Sequence, residues 1–147
     1  MGSGLYNTFK QQLMLKNVDM VDDTIKCALV TDTYTFSPGI AINKWADIST
    51  HEASGVGYIA GGKIITGCAV NIVDTGGTPP NYAVFDGADL SWTGSTITAK
   101  YAVLYDDSIT GTYEDLLVGC IDFGANKTST AGSFNITWDS EGIFKLT

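Results

Sequence analysis

The 147-residue chain holds one histidine, His51, so any Ser–His–carboxylate site would have to use it. Ser49 and Ser54 lie close by in sequence, but no G-x-S-x-G nucleophile elbow is present. His51 falls in the polar run Ser49-Thr50-His51-Glu52, which reads as an exposed loop. Glycoside hydrolysis needs two convergent carboxylates. The three glutamates, Glu52, Glu114 and Glu141, all fall in expected loops or turns and read as solubilising charge. Asp22-Asp23 and Asp106-Asp107 offer hard oxygens for calcium, yet neither pair continues into a D-x-D-x-D-G ladder, so turn capping is the expectation. Gly61-Gly62 and Gly76-Gly77 are not followed by Lys-Ser/Thr and a helix, as a phosphate cradle requires. Asn126-Lys127-Thr128 and Asn135-Ile136-Thr137 match glycosylation sequons, which matter only in a secreted eukaryotic protein. No catalytic, cofactor or metal residue is expected from these patterns.

The cysteines, Cys27, Cys68 and Cys120, are odd in number, far apart and each set in an apolar stretch. Buried thiols and a reducing compartment are the expectation, not disulfides or zinc. The formal net charge of −8 disfavours nucleic acid and anionic membrane surfaces as partners and favours a basic protein surface. No apolar run reaches the roughly 18 residues that span a bilayer, and no signal peptide is expected, which points to synthesis in a cytoplasm.

The elements that would position these residues follow from periodicity. Leu5, Phe9 and Leu13 recur every four residues, with Tyr6 beside them, and predict a helix over 5–16. So short a helix must dock on its own domain or on a partner. Residues 1–22 therefore form an N-terminal amphipathic segment and 23–147 the main domain. The alternation of Ile25, Cys27 and Leu29 predicts a strand over 24–31. An excursion over 32–55 follows, with a helical turn near 43–48. Residues 55–67 read as one or two strands broken near Gly61-Gly62, and 68–73 as another. A loop is expected over 74–81, around Gly76-Gly77 and Pro79-Pro80.

In the second half, strands are predicted over 82–85, 90–92, 96–105, 116–123, around Phe134–Trp138, and over 143–146. Turns are expected at Asp86-Gly87, Gly94-Ser95 and Gly142. The apolar run at 116–123 marks a central strand. This predicts a mostly β fold, an antiparallel β-sandwich or jelly roll of about eight strands with a short N-terminal helix. A 147-residue chain buries about 70% of its unfolded surface, enough for one core without staples. Trp92 and Trp138 are expected in the core, and Trp45, in the excursion, as an exposed contact.

Several stretches taken together carry a resemblance. They are Thr24–Val30, Trp45–Ser49, Glu52–Tyr58 with Ala60-Gly61-Gly62, Phe85–Trp92, Ser95–Val103, Gly119–Gly124, and Trp138 with Gly142-Ile143. In this order they resemble small virion structural proteins of tailed bacteriophages, of the capsid decoration or cement type. The resemblance implies a non-enzymatic protein on the outer capsid surface of the virion, assembled in the host cytoplasm. Its partners would be the major capsid protein and further copies of itself, as a dimer or trimer. The alternative is a tail- or fibre-associated structural or receptor-binding module, with carbohydrate among its candidate ligands. Leu5, Tyr6, Phe9, Leu13 and Trp45 are the expected partner-binding residues. The resemblance implies no catalytic residue, cofactor or metal.

Overall fold

The computed structural model describes residues 3–74, 76 and 81–147. The expected loop over 74–81 lies largely outside these residues. Strand accounts for 46% of the described residues and helix for 12%, so the mostly β expectation holds. Eight strands are found among the described residues: β1 Gly4–Leu5, β2 Ile25–Val30, β3 Lys63–Ile64, β4 Ala69–Val73, β5 Tyr82–Asp86, β6 Leu90–Asp106, β7 Leu116–Ile136 and β8 Phe144–Leu146. The helix α1 spans Asn7–Met14. One antiparallel sheet has the order β1-β7-β6-β2-β3, and a second has β4-β5-β8.

The centre of the large sheet lies where the sequence is apolar on both faces. β2 pairs with the end of β6 from Ile25↔Asp106 to Val30↔Tyr101. β7 flanks β6 on the other side, and Leu116 to Cys120 are buried. A single cluster joins these residues to Phe85 of the small sheet, with Phe144 packed against it. The two sheets thus share one apolar interior.

Several boundaries differ from the sequence expectation. The helix begins two residues later than predicted, because Gly4 and Leu5 are extended and pair with Cys120 and Gly119. The expected turn at Gly94-Ser95 is a bulge within one 17-residue strand. Gly94 has φ +58°, and the register slips between Trp92 and Ser95 without the chain reversing. The strands expected near 116–123 and at Phe134 are likewise one strand, β7, bent at Gly124 and Ala131, both at positive φ. Asp86-Gly87 does not close a hairpin. It carries the chain from the small sheet to the large one, since β5 and β6 belong to different sheets.

Residues 55–67 yield only the two-residue strand β3. Their glycines serve close backbone approach instead. A Cβ on Gly62 would stand 2.0 Å from the Cys27 carbonyl oxygen, and one on Gly55 2.0 Å from that of Thr96. The loop therefore lies directly on the backbones of β2 and β6.

Candidate functional site

The residues expected to clasp a partner are mostly occupied within their own domain. Tyr6 and Phe9 have no exposed surface. The Tyr6 hydroxyl bonds that of Tyr34 at 2.7 Å, and its ring meets Phe36 edge-on at 5.2 Å. Burial and the Tyr34 hydroxyl push the Tyr6 phenol far above its ordinary pKa. Phe9 packs edge-on against Phe144 of β8 at 6.0 Å. Leu5 and Leu13 are half-buried against the same core. Residues 5–13 therefore share the interior of the main domain, and of the two expected dockings, on its own domain or on a partner, the helix takes the first.

Trp45 does not form the exposed contact expected of it. It is 9% exposed and stacks on Tyr105 at 5.1 Å with an interplanar angle of 9°. The excursion folds back on the sheet: the Trp45 amide donates to the Asp115 carbonyl, and the Leu117 amide to that of Asn43. Those bonds press the indole onto the sheet.

His51 is held by its surroundings, and Ser49 is turned away from it. Its Nδ1 is 2.9 Å from Thr33 Oγ1, its ring leans on Tyr34, and Ser49 Oγ points to the Ala46 carbonyl. Glu52 departs from its expected role as solubilising charge. Its Oε1 accepts from the Tyr58 hydroxyl and the Gly61 amide, each at 2.7 Å. The Tyr58 oxygen in turn accepts from the Leu29 amide, so Glu52 ties the glycine loop to β2. Burial first, and Glu52 second, raise the Tyr58 pKa.

The two aspartate pairs of the sequence meet at one end of the large sheet. The Asp107 amide donates to the Thr24 carbonyl, and the Thr24 amide to Ser108 Oγ. Asp107 pairs with Lys26 at 3.2 Å. Asp106 is wholly buried: Oδ1 accepts from the Ser108 amide, while Oδ2 has no hydrogen-bond donor. Burial raises the Asp106 pKa to about 7, against the Ser108 amide, which lowers it, and with the neighbouring carboxylates of Asp23 and Asp107 adding to the rise. Asp115 is also raised, by burial and then by Asp107. Turn capping, the expectation for the two pairs, is seen for Asp23 and Asp106; Asp19, which the sequence did not single out, caps the same turn as Asp23. Among the described residues no group of three or more His, Cys, Asp or Glu is placed to hold a metal.

A concave surface lies along the outer side of β7. Two cavities, of about 510 and 540 Å³, share Ile121 and Ile143 and so form one groove. The first is lined by Phe123, Phe134 and Trp138. The second is bounded by β1 and β8. Trp138 is only half-buried, held by bonds from its Nε1 to the Ala88 carbonyl and from its amide to Asp89 Oδ1. Lys127, Asn135 and Asp139 stand at the same wall. The sequence shows the apolar side chains here but not the groove, whose walls come from residues more than a hundred positions apart. No helix among the described residues is long and apolar enough to cross a membrane. Comparison with protein-family models, curated proteins and solved structures finds no match.

Proposed function

We propose that this chain is a non-enzymatic phage capsid decoration, or cement, protein. It binds the outer surface of the assembled head, bridges subunits of the major capsid protein, and acts as a homo-oligomer, a dimer or trimer. The sequence resemblance motivates the reading. The structural observation that carries it is the open groove along β7, where Ile121, Phe123, Trp138 and Ile143 stay partly exposed on a stiff sheet. An apolar groove on a rigid scaffold suits burial of a neighbour's chain segment. Repeated binding across a lattice adds avidity without tight single contacts. Purified protein added in excess to bare, expanded shells is expected to raise their melting temperature, and Phe123→Ala to weaken that effect. Saturating protein with no change in shell melting overturns the proposal.

A tail- or fibre-associated, carbohydrate-binding role has its own support in Trp138. Its ring stands at the groove wall beside Lys127, Asn135 and Asp139, an apolar face among polar groups that suits a sugar. A glycan array with Trp138→Ala as the control distinguishes the two readings. Trp45 is the wrong control, because it is buried.

A further inference from the structure

We propose that β4 is a self-association edge, along which two copies of this chain pair β4 against β4, antiparallel, about a two-fold axis at Asn71. This takes up the self-association in the reading above and not its shell binding.

β4 ends the small sheet. Five pairs join it to β5, from Ala69↔Asp86 to Val73↔Tyr82, with no register shift. No strand among the described residues lies on its other side. Natural edges are guarded by charge, proline, bulges or shortness. The other edges here follow that rule. β1 and β3 have two residues each, and β3 carries Lys63. β8 has three and carries Lys145. The outer side of β7 carries Asp122 and Lys127 and is bent at Gly124 and Ala131. β4 has none of these guards: it reads Ala-Val-Asn-Ile-Val, and Val70 and Ile72 are 51% and 68% exposed.

The sequence of β4 matches itself. Antiparallel pairing centred on Asn71 sets Asn71 opposite Asn71, Val70 opposite Ile72, and Ala69 opposite Val73. Every apolar side chain meets an apolar one, and amide meets amide. Val70 and Ile72 share a sheet face with Phe85, Ala83, Phe144 and Leu146, as the pairings Val70↔Phe85, Ile72↔Ala83, Phe85↔Phe144 and Ala83↔Leu146 require. The apolar rows of the two copies would therefore run on as one six-stranded sheet. Charge points to the same place. Two copies at −8 each repel, and an uncharged edge lets them approach. The same register sets Asp74 of each copy at opposite ends of the ladder. A two-fold contact of this kind closes at two copies.

The test uses the full chain. Light scattering across a concentration series is expected to show a monomer–dimer equilibrium. Ile72→Lys, which places a charge in the apolar row, is expected to weaken dimerisation at least tenfold. Paired residues lie about 4.5–5.5 Å apart between Cα atoms, within disulfide reach. In a Cys68→Ser background, Asn71→Cys is therefore expected to oxidise to a covalent dimer. Val73→Cys, whose partner position is residue 69, is not. Both positions lie on the strand's exposed edge, so the cross-linking comparison stands even where Ile72→Lys disturbs folding. A monomer at every concentration, a trimer, or equal cross-linking at 71 and 73 overturns the proposal. None of these results would bear on whether the protein raises shell melting.

Discussion

The buried carboxyl of Asp106 sets how the protein responds to pH. Its folded-state pKa, about 7, lies above the ordinary aspartate value of 3.8. A raised acid pKa means the folded state holds the proton more tightly than the unfolded chain. That contribution to stability is present in full near pH 4 and is lost as pH rises towards 7. Urea unfolding is expected to give about 2–3 kcal/mol less stability at pH 8 than at pH 5. Asp106→Asn keeps an uncharged group at that place and is expected to flatten the profile. An unchanged slope in the variant would assign the dependence to other carboxylates. The sequence offered Asp106 only as one of two adjacent acids. What sets it apart from Asp107 is its place in the sheet: the last residues of β6, Asp106 among them, are buried on both faces, while Asp107 lies just beyond the strand and reaches Lys26 at the surface.

The N-terminal element carries the clearest energetic consequence. Leu5, Phe9 and Leu13 were legible as one apolar stripe, but the partner of that stripe was not. It proved to be the chain's own core: Phe9 meets Phe144 of the small sheet, and Leu5 lies on Gly119 of β7 in the large one. Truncating a buried Phe costs about 3–5 kcal/mol. Deleting residues 1–16 removes Tyr6, Phe9 and the β1 pairing together. The truncated chain is expected to lose its cooperative thermal transition. A truncated protein that melts near the full-length temperature would show the arm to be dispensable. The long strands make the same point about local signals. Gly94-Ser95 and Gly124 have turn chemistry, yet each is absorbed as a bulge. The flanking residues find continuous partners on the neighbouring strand, and that pairing outweighs the local preference to reverse.

At the scale of the whole molecule, charge separates the two associations proposed. Raising salt from about 0.1 to about 1 M shortens the Debye length from about 10 to about 3 Å. Screening is expected to strengthen self-association, since copies at −8 repel, and to weaken binding to a basic shell surface. Titrating both at two salt concentrations checks the opposite signs. The same scale divides what each level of description decides. The sequence by itself determined the mostly β class, the single core, the positions of β2, β4, β5 and β8 to within a residue or two, and the burial of Trp92. The core follows from chain length, and the strands and the burial of Trp92 from side-chain patterns within a few residues. Only the tertiary structure decided that Trp45 is covered, that Asp23 meets Asp106, that β7 borders a groove and that β4 is left at an edge. Those outcomes depend on which distant segments pair, and pairing is set by the fit of two surfaces that no single stretch of chain contains.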